Sequence, residues 1–165
     1  MPRFWEMLRL RCEHGVEFVV IGGFAVQFHG YVRATKDIDI VPDPSRENMD
    51  RLWDALQTVN PEQLDIGDFR PEEMPFEFTR ENLATSGGNR RLRTDLGILD
   101  VMQWVEGVES YDELRAGAVV DAPPEVGHTV SFAGFDDLLT MKREAGRDQD
   151  RIDITSLRMA HGLEE

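Results

Sequence analysis

Apolar residues fall along the chain in two rhythms, and the change from one to the other marks out the elements. Val16 to Ile21 is a short β-branched run cut off by Gly22-Gly23, which reads as a buried strand. From Arg33 to Val41 a second strand is predicted, in which Ile38 and Ile40 point one way and Asp37 and Asp39 the other. After the turn Ser86-Gly87-Gly88-Asn89, Arg91 to Thr94 and Gly97 to Trp104 read as a strand pair joined by a tight bend. Val119-Val120 and Thr129 to Phe132 pair around Pro123-Pro124. The helical rhythm places Phe4, Trp5, Leu8 and Cys12 on one stripe of a helix over Pro2 to Glu13, stopped by Gly15. Phe24 to Phe28 fits a short helix that Gly30 closes as a left-handed cap. Met49, Leu52, Trp53, Leu56 and Val59 define a helix with Asp43 as its cap and Pro44 at its first position, ended by Asn60-Pro61. A short helix starts at Ser110. Two more follow near the end: one capped by Asp136 and closed by Gly146, and one from Gln149 to Ala160 that buries Ile152, Ile154 or Leu157. Pro61 to Arg80, acidic and broken by Pro71 and Pro75, is expected to be a loop-rich excursion near the mouth of the site, with Phe76-Glu77-Phe78 as a short strand.

This succession predicts an α/β (α+β) domain over 1–165, with 134–165 as a helical C-terminal extension. A hydrophobic fraction of 41% is that of an ordinary globular chain. Cys12 stands alone, so no internal disulfide forms and a reducing cytoplasm is the expected compartment. The charged start, Met1 to Glu6, does not read as a secretory leader, and the longest apolar stretch, Phe18 to Val26, is too short to span a bilayer. A formal net charge of −14 argues against broad nucleic-acid binding, which rests on cation–phosphate contacts. It leaves room for a local basic strip at Arg90-Arg91-x-Arg93.

The chemistry gathers around the first two strands. Asp37 and Asp39 share a face, where two carboxylates repel one another unless a cation lies between them. Hard oxygen donors of this kind suit Mg²⁺. Leu99-Asp100-Val101 sets one acid between apolar neighbours, which leaves Asp100 on the face opposite the core and makes it the third carboxylate of the set. Asp95 competes for that role but lies in the bend. Gly22 and Gly23, at the start of a helix, allow a phosphate to approach free backbone N–H groups. His29, beside a capping glycine, reads as a packing and hydrogen-bonding residue.

The pattern Gly22-Gly23-x-Ala25 through His29-Gly30, then Arg33-x-Thr35-x-Asp37-Ile38-Asp39-Ile40, resembles the nucleotidyltransferase superfamily related to polymerase beta. The C-terminal order Lys142, Gly146-Arg147, Asp150 extends the similarity toward the branch of AbiEii-type toxins and small relatives. The resemblance implies a mixed sheet with packed helices and Mg²⁺-dependent transfer of a nucleoside monophosphate from an NTP to a hydroxyl. Asp37, Asp39 and Asp100 would be the catalytic and metal-binding acids, holding two Mg²⁺ ions, with Mn²⁺ as a substitute. Gly22, Gly23, Arg33, Lys142 and Arg147 would bind the nucleotide. A tRNA or protein acceptor, a toxin–antitoxin setting and an antitoxin partner are implied with it. Two alternatives stand beside this reading: a nucleotide- or partner-binding module without turnover, and an enzyme that modifies a small antibiotic. A deep acidic pocket would suit a cationic drug, and a basic strip around Arg90 to Arg93 would suit RNA. For Lys142, Arg147, Asp150 and Asp153 the competing expectation is a set of surface ion pairs.

Overall fold

A computed structural model describes residues 2–65, 70–73 and 76–163. Its described residues form a seven-stranded mixed sheet flanked by helices, with the strands in the order β3-β4-β5-β2-β1-β7-β6. In chain order the strands are β1 (Phe18–Ile21), β2 (Asp37–Pro42), β3 (Glu62–Gln63), β4 (Arg90–Thr94), β5 (Gly97–Val101), β6 (Val119–Asp121) and β7 (Val130–Phe132). The helices are α1 (Phe4–Glu13), α2 (Gly22–Phe28), α3 (Arg46–Gln57), α4 (Arg80–Thr85), α5 (Tyr111–Ala116), α6 (Phe135–Ala145) and α7 (Asp148–Ala160). β1 runs antiparallel to β2 and parallel to β7, and β2 runs parallel to β5, so the expected mixed sheet is present.

The register explains both the core and the site. Ile38, Leu99 and Leu92 stand opposite one another across β2, β5 and β4, and Val20, Ile40, Val101 and Arg90 form the next row on that face. The apolar members of these rows are buried and join one core cluster with Met7 and Leu8 of α1, Met49, Leu52 and Leu56 of α3, and Leu83 of α4. A fully buried aliphatic side chain of this size contributes about 1.5–3 kcal/mol. The intervening row, one residue out of phase, is Ile21, Asp39, Asp100 and Arg91. Alternation along the strands thus builds the core on one face and sets a row of charged side chains on the other.

Several local expectations are corrected. α3 is capped by Ser45, whose side chain accepts from the Asn48 N–H, while Asp43 accepts from the Ser45 N–H one turn earlier. Ser45 is the residue placed to reach the free N–H groups of the first turn. The buried Asn48 amide then exchanges hydrogen bonds with both backbone groups of Glu17 and clips α3 to the start of β1. Gly134, not Asp136, is the N-cap of α6; Asp136 lies in the first turn, where its charge complements the helix dipole. β2 begins at Asp37 and β5 ends at Val101, both shorter than their apolar patterns. Phe76 to Phe78 is not a strand: Phe78 packs on Trp53 with ring centres 4.9 Å apart, and the Phe76 carbonyl accepts from Arg90. The break expected at Pro75 lies outside the described residues. In α7 Leu157 is buried, but Ile152 is 51% exposed, and the other buried side chains of that helix are Asp150 and Asp153.

Candidate active site

Ile21 is the last residue of β1, and the chain turns at Gly22 with a φ of +69°, directly beneath Asp39. A Cβ on Gly22 would lie 1.9 Å from Asp39 Oδ2, so glycine is required there both by backbone conformation and by space. At Gly23 a Cβ would meet Thr35 Oγ1 at 2.9 Å and Arg33 Nη2 at 3.2 Å. The glycine pair therefore lets the segment before β2 and the acids of β2 close onto the start of α2.

Asp39 and Asp100 are direct neighbours across the parallel pair β2 and β5, and Asp37 lies two residues before Asp39 on the same face. One carboxylate oxygen from each of Asp37, Asp39 and Asp100 lies within 4.8 Å of the others. Burial, then the hydrogen bond and charge of Asp100 and the charge of Asp37, push the Asp39 carboxyl well above the usual carboxylate range, with Lys142 pulling weakly back. Asp100 is also raised, chiefly by burial, against the opposing pull of its hydrogen bond with Asp39 and of Arg91. The cluster is short of positive charge.

A cation the sequence reading did not assign to this place partly fills that need. Arg91 Nη1 donates to Asp37 Oδ2 at 3.0 Å and to Asp100 Oδ2 at 2.9 Å. The signal was present in the chain: the two-residue turn Asp95-Leu96 pairs Thr94 with Gly97, and counting back from it puts Arg91 opposite Asp100. The same alternation dismantles the expected basic strip. Arg90 is buried, donating to Gln63 Oε1 and the Phe76 carbonyl, and Arg93 pairs with Glu62 at 3.7 Å.

The C-terminal residues form a second charged cluster, and it is not the surface set that the competing expectation described. Arg33 makes a two-pronged bond to Asp153 at 2.8 and 2.9 Å. Lys142 Nζ lies 3.2 Å from Asp150 and 3.0 Å from Asp153. Arg147 bonds Asp150 at 2.7 Å through Nε and also donates to it through its backbone N–H. Burial alone would raise Asp150 and Asp153. The bonds from Arg147 and Lys142 on the first, and from Arg33, Gln149 and Lys142 on the second, outweigh it and hold both below their ordinary range. Lys142 is buried, whereas the Arg147 side chain is 75% exposed.

Both clusters border one cleft of about 770 Å³, lined by Gly22, Gly23, Arg33, Asp37, Asp39, Arg91, Asp100, Lys142 and Arg147 among others. The structure thus brings all of the expected site residues to one cavity. On its rim Trp104 is 64% exposed, and its backbone is held at both N–H and carbonyl by the side chain of Asn89. Neither residue was singled out from the sequence, because nothing in their spacing ties them to the acids. His29 takes the packing role expected of it, donating from Nε2 to the Ala133 carbonyl at 2.7 Å.

The fold is shared with solved proteins that modify or confer resistance to antibiotics. Over 96% of both chains it is similar to the lincosamide antibiotic adenylyltransferase LnuA, solved with lincomycin bound, with a TM-score of 0.58 and 16% identity. It is also similar to the antibiotic-resistance factor ANT(2'')-Ia, with a TM-score of 0.53 and 14% identity over 96% of this chain and 82% of that one. By sequence, the chain matches no established protein family and no curated protein. None of the described helices is long and apolar enough to cross a membrane.

Proposed function

We propose that this chain transfers a nucleoside monophosphate from an NTP to a hydroxyl of a small-molecule acceptor. The observation that carries the reading is the convergence of Asp37, Asp39 and Asp100 on the floor of the 770 Å³ cleft. Acid clusters are common on protein surfaces, but this one is short of positive charge, partly buried and held by the central strands β2 and β5. Its oxygen donors fit Mg²⁺ or Mn²⁺, which Asp37, Asp39 and Asp100 would hold. A bound ion would supply neutralisation of phosphate charge.

The chain's own groups divide the remaining work. Asp100 accepts the proton of the acceptor hydroxyl as its oxygen attacks the α-phosphorus. The bond to the β-phosphate oxygen breaks, and pyrophosphate leaves with the charge. Backbone N–H groups at Gly22 and Gly23 face the phosphates. Arg147, with its exposed guanidinium, meets them directly. Lys142 contributes its positive field from the buried cluster, and Arg33 ties the segment before β2 to Asp153 of α7. Catalysis of this kind rests on positioning and charge stabilisation. In this reading residues 1–165 act as one unit, with Leu138 to Asp150 supplying one wall of the cleft.

A small acceptor is favoured over the tRNA or protein implied by the sequence resemblance. Arg90 is buried, Arg91 is engaged by the acids and Arg93 is paired with Glu62, so the strip that would have suited RNA is dispersed. The fold neighbours, a lincosamide adenylyltransferase and an antibiotic-resistance factor, support the same choice and lend none to an antitoxin partner. The test is transfer of label from each α-labelled NTP, with Mg²⁺ or Mn²⁺, to a panel of hydroxyl-bearing antibiotics that includes a lincosamide, beside total RNA and protein. Label on a small molecule that disappears in Asp39→Ala supports the reading. Label on RNA or protein restores the macromolecular acceptor. Nucleotide binding without transfer points to the module without turnover.

A further inference from the structure

We propose that Arg91 is a resident cation of the carboxylate cluster, taking the seat of one metal ion, so that the site loads a single divalent ion. This rests on the metal-dependent reading above and reduces the two ions implied by the sequence resemblance to one.

The geometry makes the case. Arg91 Nη1 lies 3.0 Å from Asp37 Oδ2 and 2.9 Å from Asp100 Oδ2, so one nitrogen bridges two of the three carboxylates that would hold metal. A Mg²⁺ ion needs its oxygens at about 2.0–2.1 Å in near-octahedral order, and the same two oxygens cannot serve it while they accept from this guanidinium. Arg91 is not a long side chain that has wandered in. It sits opposite Asp100 in the register of β4 and β5, inside a strand pair whose turn fixes the pairing. Guanidinium does not deprotonate in this setting, so the charge is permanent.

Charge balance agrees. Three carboxylates against one guanidinium leave two negative charges, which a single divalent ion on Asp37 and Asp39 cancels. Of the buried or half-buried cations nearby, Lys142 is committed to Asp150 and Asp153, Arg33 to Asp153, and Arg90 to Gln63 and the Phe76 carbonyl. Arg91 is then a positioning residue. It holds Asp100 through Oδ2 and so orients the carboxylate that takes the acceptor's proton.

The experiment is a titration of the full chain with Mn²⁺ alone, with free ion read by electron paramagnetic resonance. It uses the natural sequence, Arg91→Ala, Asp100→Asn, Asp39→Asn and the double variant Arg91→Ala/Asp100→Asn. The natural sequence is expected to bind one ion per chain, with an affinity that Asp100→Asn barely moves and Asp39→Asn weakens by at least about tenfold. Arg91→Ala is expected to bind two ions, the second lost again in the double variant. Two ions in the natural sequence, or one in Arg91→Ala, would overturn the inference and leave the metal-dependent reading standing. No ion in any of the five proteins would overturn both.

Discussion

The cleft joins two acidic clusters that differ in their supply of cations. Asp150 and Asp153 on α7 are met by Arg33, Lys142 and Arg147, and both carboxylates are held below their ordinary range. Asp37, Asp39 and Asp100 on the sheet are met by Arg91, and Asp39 and Asp100 are pushed above theirs. The first cluster is complete and ties α6 and α7 to the segment before β2. The second is incomplete, and what it lacks is positive charge. Burial pushes all four carboxyls upward; it prevails at Asp39 and Asp100, whereas at Asp150 and Asp153 the bonds from cations outweigh it.

Substitution separates the two clusters most sharply by activity. Asp39→Asn is expected to lower nucleotidyl transfer by about 10²–10³-fold or more, as loss of a charge-stabilising group at a reacting centre does. Without metal its denaturation midpoint should match or exceed that of the natural sequence, because a repelling charge has been removed. Steady-state label transfer and urea denaturation on the same preparation check both halves. Asp153→Ala should do the reverse to stability, costing about 3–5 kcal/mol, since it strands Arg33 and Lys142 without their shared partner. An Asp153→Ala variant as stable as the natural sequence would remove the distinction between the clusters.

Ligand linkage gives the next effect. Mn²⁺ at 100 times its dissociation constant for the natural sequence should stabilise that sequence by about 2.7 kcal/mol and Asp39→Asn by no more than about 1.4 kcal/mol, as followed by thermal denaturation. Gly22→Ala carries a strain of about 1–2 kcal/mol from its left-handed backbone. It also drives a methyl group against Asp39, so its Mn²⁺ affinity should fall with its stability.

The smallest effects lie in pH, and the two clusters have opposite signs. Asp150 and Asp153 are depressed, so their stabilisation is fully present above the unfolded value of about 3.9 and is lost as pH falls below it. Asp39 and Asp100 are raised, so the folded state holds protons more tightly than the unfolded one. Stability without metal should therefore decline as pH rises from about 4 through their shifted values. Denaturation at stepped pH should show Asp153→Asn flattening the acid limb and Asp39→Asn flattening the decline above it.

Much of this was legible in the chain, because the relevant signals are local. Alternation in Asp37-Ile38-Asp39-Ile40 set the acids apart from the core, Leu99-Asp100-Val101 marked the third acid, and the glycine pair marked the turn beneath them. What was not legible depends on partners distant in sequence. The buried face of α7 is acidic, so a search for apolar spacing offers Ile152 beside Ile154 and Leu157 for the core, and only Leu157 of the three is fully buried. Nothing near Asp153 announces that Arg33 lies across from it. Arg91 was hidden for a different reason: read as part of a basic run with Arg90 and Arg93, it loses the parity that sends its neighbour Arg90 into the core. Asp43 and Asp136 resembled helix caps in type, but the chain path gave those positions to Ser45 and Gly134.

The most direct test of the central contrast is anomalous diffraction from crystals of the natural sequence grown with Mn²⁺ and a non-hydrolysable NTP analogue. The account predicts Mn²⁺ density at Asp37 and Asp39, and none at Asp150 and Asp153, where Lys142 and the arginines already supply the charge. Density on the α7 acids, or a bare carboxylate cluster beside bound nucleotide, would contradict it.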